Sequence, residues 1–349
     1  MIDILNLTRA ELTDFIVKDL GEKPFRANQI WQWLWQRGAE NFEEMTNVAK
    51  DLRAKLAERA VICLPQIAAE AKSADGTVKL LLRLADGELI ETVLIPSESR
   101  GGETRMTQCL SCQVGCAMGC TFCSTGSMGF TRNMTQAEIL GQVLIGRKYL
   151  GDTIKREILR NLVFMGMGEP LMNYTEVMRS LETLNSEQGL GFSRRRITVS
   201  TCGIEQGLLE LGSSDLAFLA ISLHAADQKL REQIMPAAAR WPLEDLLATL
   251  DKYPLAAREH LTFEYLLLGG LNDTPAQAAK LASISNKLNA KVNLIAYNPA
   301  EGSPYRAPSE AEILAFEQEL WRRGVTAILR KSKGQDIKAA CGQLKAASK

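Results

Sequence analysis

The chain has 349 residues, a length that suits about two domains. Hydrophobic residues make up 46% and charged residues 23%, the balance of a globular protein that buries its core without disulfides. The 41 Lys and Arg offset 41 Asp and Glu, so a polycation of histone type is excluded, although a local basic patch is not.

The opening stretch MIDILNLTRAELTDF carries acids early and no basic n-region or small-residue cleavage site. It does not read as a signal peptide. The longest nearly unbroken apolar run, Leu216–Ala226, falls short of the ~18–20 residues of a membrane span. The expectation is a soluble, cytoplasmic monomer with no membrane partner.

Residues 1–63 read as a helical domain. Thr8 and Glu11 form a capping box and Gly21 ends the first helix. A second helix covers 25–37, with Ile30, Trp31, Leu34 and Trp35 on one face and Trp33 on the other, and a third covers 43–59. Residues 64–104 read as a β-meander and linker. Three β-rich runs, 66–71, 78–84 and 89–95, are separated by Asp75-Gly76 and Asp86-Gly87, which are strong hairpin signals.

From 105 to 349 the pattern becomes strand–helix alternation. Strands are predicted at 159–165, 196–201, 217–222, 262–268, 291–296 and 325–330, and helices at 135–149, 174–186, 242–253, 275–288 and 309–323. Such βα units make a parallel sheet, and the spacing fits a doubly wound sheet or a full or partial barrel equally well.

Eight cysteines are present, and six lie between Cys109 and Cys202. In a cytosolic chain, close cysteines point to metal or redox chemistry. The stretch Gly115-Cys116-Ala-Met-Gly-Cys120-Thr-Phe-Cys123 places three thiols in one Gly-rich loop. Zinc would want a fourth Cys or His, for which Cys109 or Cys112 is available. Three thiolates around a four-iron cluster instead leave one iron open for chemistry.

In βα architectures ligands gather where strands end. That edge would carry Gly166-Met-Gly168-Glu169-Pro, Ser200-Thr201, Ser222-Leu223-His224, Asn298-Pro299 and Lys331–Lys333. Taken singly, these read as strand-end caps and turns. Their common edge with the cysteine loop makes them one candidate site. Cys341, beyond the final strand, is placed to fold over that edge, and Cys109 is the natural cysteine to meet it. The basic residues Arg194–Arg196, Arg322-Arg323 and Arg330–Lys333 read as solvated faces or as phosphate contacts.

The CxxxCxxC spacing with Phe122 before the last Cys resembles the radical S-adenosylmethionine (SAM) superfamily. TQCLSCQVGCAMGCTFCSTGSMGFTRN, VFMGMGEPLMNY, RRRITVSTCGI, LAISLHAADQKLREQIMP, VNLIAYNPAEGSPY and RKSKGQDIKAACGQL together resemble the RlmN/Cfr family of RNA methyltransferases. The likeness runs from about Met1 to Leu344. CTFCSTG and GFTRN resemble its RlmN branch, which methylates carbon 2 of adenine in 23S rRNA and in tRNA. The Cfr branch methylates carbon 8 of an rRNA adenine.

The resemblance implies an α/β fold: a partial (β/α)6 radical SAM barrel with an N-terminal helical domain and a small antiparallel meander. It implies a 4Fe–4S cluster on Cys116, Cys120 and Cys123, and SAM contacts from Phe122, Gly168, Glu169, Ser200, Ser222, Leu223, His224 and Asn298. Two SAM would be used per turnover, one as methyl donor and one as radical source, with an external one-electron donor such as flavodoxin. Cys341 would carry the methyl group, Cys109 would resolve the covalent RNA adduct through a transient disulfide with Cys341, and Glu91 would accept a proton.

Two features depart from the family pattern: a long link over Ser97–Thr107, and Cys112 where the family has Ser. One rival reading is a non-catalytic metal-bearing RNA-binding protein, which needs four ligands and cleaves no SAM. Another is a radical SAM enzyme acting on a protein or small molecule, for which a Cys109–Cys341 pair has no use.

Overall fold

The computed structural model describes residues 1–98, 102, 104–152, 157–257, 259–299 and 303–346. The N-terminal segment holds β1 (Ile2–Asp3), α1 (Arg9–Asp14), α2 (Phe25–Trp35), α3 (Lys50–Arg59) and β2 (Ala60–Val61). β1 and β2 pair in parallel and tie its two ends together. Thr8 and Glu11 make the expected reciprocal cap. Trp31 and Trp35 are buried against each other edge-to-face, while Trp33 is half-buried under the Arg37 guanidinium. The third helix is shorter than predicted. Asn41 caps a single tight turn at Phe42–Glu44, and Asn47 is engaged by the Trp33 indole, so the chain turns helical only at Lys50.

Next come β3 (Gln66–Lys72), β4 (Val78–Arg83), β5 (Leu89–Glu98) and β6 (Thr104–Cys109). β7 (Gln113–Gly115) and β8 (Phe130–Asn133) form a small hairpin, followed by α4 (Gln136–Leu150). The rest alternates: β9 (Leu159–Phe164), α5 (Tyr174–Asn185), β10 (Ile197–Thr201), α6 (Leu208–Ser214) and β11 (Phe218–Ser222). After these come α7 (Gln228–Ile234), α8 (Leu243–Asp251), β12 (Thr262–Leu267), α9 (Pro275–Lys287), β13 (Lys291–Ala296), α10 (Glu310–Arg322) and β14 (Ala327–Arg330).

Among the described residues, ten strands make one sheet in the order β14-β13-β12-β11-β10-β9-β6-β5-β4-β3. From β6 to β14 every neighbour pair is parallel and follows chain order. A doubly wound sheet reverses its strand order at a switch point. This sheet never does, so the βα units curve one way as a partial barrel.

The meander continues that sheet without a break: β5 pairs antiparallel with β6, Val93 opposite Cys109. β6 escaped the sequence pattern because TRMTQC is polar. Gln108 is nonetheless fully buried, its amide N–H groups donating to the Thr92 hydroxyl and the Gln142 carbonyl, which lets a polar side chain enter the sheet. Of the long link Ser97–Thr107, residues 99–101 and 103 lie outside the described residues. Among the described residues, no helix is long and apolar enough to cross a membrane.

Candidate active site

The β7–β8 hairpin pinches the cysteine loop at its base. Gly115 takes a φ of +75°, and the Cys116 N–H donates to the Gly129 carbonyl at 2.7 Å. A Cβ on Gly115 would lie 2.0 Å from that oxygen, so only glycine lets the two strands close. Within the loop the Cys123 N–H donates to the Cys120 carbonyl, and the Thr121 N–H donates to the Ile234 carbonyl at the end of α7.

Cys116, Cys120 and Cys123 line one cavity of about 160 Å³ above the carboxyl ends of the parallel strands. Burial pushes the Cys116 thiol up to about 12, with Cys123 and Glu169 adding to the effect. Burial, then Cys123 and Cys116, push Cys120 well above its ordinary range. Cys116 and Cys120 therefore feel neighbouring thiols in a poorly hydrated space, and deprotonating them calls for a cationic centre. Among the described residues, no three His, Cys, Asp or Glu side chains are arranged to hold a metal ion. A four-iron cluster makes a different demand, since each thiolate binds a different iron. In kind, number and placement around one cavity, the three thiols fit that group.

The same cavity collects Phe122, Gly168, Glu169, Ser200, Ser222, His224 and Cys341. Gly168, at φ +102°, lies where a Cβ would come within 2.8 Å of the Gln113 nitrogen. Glu169 is buried, with Oε2 accepting the Cys202 N–H at 2.8 Å and Oε1 the Leu171 N–H at 3.0 Å. Burial raises its pKa against these hydrogen bonds and one from Thr201. Ser200 Oγ and Ser222 Oγ stand 3.2 Å apart.

The Phe122 ring meets His224 edge-on, with centroids 5.1 Å apart. His224 sits at φ +55° and its Nδ1 accepts the Leu266 N–H. Burial, and then Arg231, push its pKa down to about 3. The imidazole is neutral with its proton on Nε2, so it offers the cavity a donor.

Other expected site residues do not line this cavity. Leu223 is fully buried, its N–H donating to the Glu264 carbonyl. Asn298 is turned to the C-terminal segment, donating to Ser332 and accepting from Gln335. Glu91 is buried on β5, paired with Lys79 at 2.9 Å and accepting the Lys345 N–H at 2.8 Å.

Cys109 ends β6 in an adjoining cavity of about 280 Å³, and Cys341 lines both cavities. Cys341 keeps accessible surface yet is enclosed by protein. Burial pushes its thiol up, Arg330 pulls it back, and Glu264 and Cys123 push it up again. Burial, and then Cys341, drive the Cys109 thiol far above its ordinary range. All eight cysteines are free thiols, so the disulfide implied between Cys109 and Cys341 is not formed here and both stand reduced.

The segment carrying Cys341 is tied down by polar contacts. The Ser124 N–H donates to the Gly342 carbonyl, the Thr125 hydroxyl to the Leu344 carbonyl, and the Gly334 N–H to Asp75 Oδ2. Sequence reasoning passed over Glu264 and Arg231, and read Arg330 only as a candidate phosphate contact. Glu264 carried a signal, as a lone carboxylate inside the apolar run TFEYLLL. Arg231, fully buried and donating to the Cys202 and Trp241 carbonyls, had none.

Two family models match the chain: the ribosomal RNA large subunit methyltransferase N-terminal domain over residues 2–62, and the radical SAM superfamily over residues 110–282. The chain is 68% identical over 347 residues to the "Dual-specificity RNA methyltransferase RlmN" of Nitratidesulfovibrio vulgaris, covering 99% of this chain and 95% of that one. It is 63% identical over 350 residues to the protein of the same name from Oleidesulfovibrio alaskensis, covering 99% and 97%. A solved radical SAM methyltransferase from Sphaerobacter thermophilus superposes with a TM-score of 0.90 at 41% identity, covering 99% of this chain and all of that one. With the three-thiol loop at the strand ends and this likeness along its whole length, the chain belongs to the RlmN family of radical SAM methyltransferases.

Proposed function

We propose that this protein methylates carbon 2 of an adenine in 23S rRNA and of an adenine in tRNA, with Cys341 as methyl carrier and Cys109 as resolving thiol. The observation that carries the reading is that Cys341 lines two adjoining cavities, one holding the three-cysteine loop and the other holding Cys109. A cysteine so placed can take a methyl group on one side and release a product on the other.

Cys116, Cys120 and Cys123 would hold a 4Fe–4S cluster that, with SAM bound, supplies one-electron chemistry and a 5′-deoxyadenosyl radical. Glu169 would accept hydrogen bonds from the SAM ammonium, and the neutral His224 would donate from Nε2. Phe122 would close the cavity over the adenine ring and keep water out. The Cys341 sulfur would receive a methyl group from one SAM, and a second SAM would activate that methyl group for bonding to the base. The Cys109 thiolate would then form an S–S bond with the Cys341 sulfur. The sulfur–carbon bond would break with its electron pair left on carbon, which takes a proton to become the new methyl group. Bonding to the base would release one electron, offsetting the one spent to cleave SAM, and one proton, which Glu91 would accept on release from Lys79 or Lys345. An external one-electron donor such as flavodoxin would supply the reducing equivalents.

Carbon 2 of adenine is electron-poor, so a methyl cation finds no nucleophile there while a carbon radical adds readily. The base would be taken out of its stack to reach the cavity. Arg330, Lys331 and Lys333 line the Cys109 side and suit a phosphate backbone.

Anaerobic incubation of cluster-loaded protein with methyl-labelled SAM, a reductant and protein-free 23S rRNA or tRNA, followed by nucleoside analysis, tests the reading. The expected product is labelled 2-methyladenosine. 8-Methyladenosine would move the target to carbon 8, and SAM cleavage without any methyladenosine would overturn the RNA substrate.

A further inference from the structure

Glu264 stands on β12 with its side chain inside the barrel and only 3% of its surface exposed. Its Oε1 accepts from Asn293 Nδ2 at 2.8 Å and from Arg330 Nη1 at 3.4 Å. Its Oε2 is buried and has no hydrogen-bond partner. A buried carboxylate oxygen stripped of water and given no donor is costly, and such groups in folded proteins are answered by something. Glu264 forms part of the wall of the cavity that holds the three-cysteine loop. Oε2 is closed to water in this structure, so a donor that fills that cavity reaches it through a small shift of the Glu264 side chain toward the cavity.

The neighbouring strands narrow the choice. Ser222 on β11 pairs directly with Glu264 on β12, so the two side chains share the inner face. Ser200 on β10 reaches Ser222 at 3.2 Å. A row of three oxygen-bearing side chains thus crosses β10, β11 and β12. Glu169, the other buried carboxylate of the cavity, follows β9 at the opposite end of this row. The negative charge of Glu264 is already answered by Arg330, so Oε2 suits a neutral donor rather than an ammonium.

We infer that Glu264 is a SAM-binding residue whose Oε2 accepts a hydrogen bond from a ribose hydroxyl of SAM, with Ser222 and Ser200 beside it. The inference rests on the proposed reading of this cavity as the SAM site. It divides the ligand along the strand order, the amino-acid end at Glu169 and the cysteines, the sugar across β10–β12. Arg330 and Asn293 are positioning residues, since they hold Oε1 and so turn Oε2 toward the ligand.

The test is equilibrium binding of SAM and its 2′-deoxy and 3′-deoxy analogues to the cluster-loaded protein, measured by anaerobic dialysis without turnover. Wild type is expected to bind one of the two analogues at least about tenfold more weakly than SAM, the loss of a hydrogen bond to a charged acceptor. Glu264→Ala is expected to bind SAM at least about tenfold more weakly, and to bind that same analogue no worse than SAM.

Wild type that holds SAM and both analogues equally overturns the inference by itself, whether or not the variant folds. A variant that keeps the full deoxy penalty also overturns it, because another side chain then holds the hydroxyl. A variant with wild-type SAM affinity means that water answers Oε2. Wild type with no measurable SAM affinity defeats the reading of the cavity itself, and this inference with it.

Discussion

Gly115→Ala isolates the closure at the base of the cysteine loop. An added Cβ would sit 2.0 Å from the Gly129 carbonyl oxygen and 3.0 Å from its carbon. Carbon–oxygen contacts settle near 3.3 Å, so the carbonyl has to retreat by roughly 1.3 Å. The hydrogen bond from the Cys116 N–H, now 2.7 Å, would not survive that movement. The left-handed backbone of an alanine costs about 1–2 kcal/mol. A partly buried N–H left without its acceptor costs about 1–3 kcal/mol more. Together they predict a loss of about 2–5 kcal/mol, and a melting temperature lower by about 3–7 °C at this chain's size. Because Cys116 follows directly, the variant should also retain less iron after anaerobic reconstitution. Gly119→Ala is the control: it shares the left-handed backbone at φ +59° but has nothing within 4 Å of its new Cβ. If Gly115→Ala melts and holds iron as Gly119→Ala does, the strand-closure argument is wrong.

Lys79→Met leaves the buried Glu91 carboxylate without its cation and should cost about 3 kcal/mol. Adding Glu91→Gln to the same chain should restore part of that in a thermal melt, and no recovery would refute a charge-based cost. At Asp75, burial pushes upward but hydrogen bonds from Thr77, Gly334 and Ser73 win and bring its pKa down to about 2. That depression contributes stability above the unfolded value near pH 4 and loses it as pH falls toward 2. The melting difference between wild type and Asp75→Asn should therefore shrink between pH 5 and pH 2.5; a constant difference contradicts the assignment. Cys109, its thiol raised by burial and then by Cys341, should be alkylated by iodoacetamide at pH 8 at least about tenfold more slowly than free cysteine. Peptide mapping that finds a free-thiol rate there would remove burial as the controlling factor.

The inner parallel strands were legible because both faces are covered, so each reads as a short apolar run; 291–296 matches β13 end for end, whereas the edge strand β14 is largely exposed. β6 was illegible for the opposite reason, since its polar Gln108 is buried with its amide N–H groups held by Thr92 and by a carbonyl on α4. α6 and α7, at seven residues each, are too short to build a periodic signal. The three thiols of the cavity loop were legible because one loop carries them all. Glu91 came only from resemblance, Leu223 and Asn298 from the strand-end rule as well, and the structure turns their side chains to the C-terminal segment or the core rather than to the cavity. The grip of Asp75 on Gly334 joins residues 259 positions apart, and no local pattern announces it.

That grip bears on how one sulfur can serve two cavities. The segment after β14 buries small groups such as Ala339 and Ala340 along with Leu344, a modest apolar anchor. Its place is set instead by directional contacts: Asp75 to Gly334, Lys79 to the Lys338 carbonyl, Ser124 to Gly342, Thr125 to Leu344, and Glu91 to Lys345. Each such bond contributes only about 1 kcal/mol net, but each fixes a direction, so together they hold Cys341 to one place without locking it into the core. A segment held this way belongs to the low-stability end of the fold, where local opening is cheap. In the proposed reaction the Cys341 sulfur has to meet SAM, then the adenine, then Cys109. A cysteine fixed in the barrel wall could face one of these, whereas a tethered segment lying across both cavities can face all three with small displacements. Glu91 sits where these demands meet, because the carboxylate proposed to accept the adenine's proton also holds the Lys345 N–H. Proton acceptance would weaken that hold at the moment when the Cys341 sulfur has to turn from the base to Cys109.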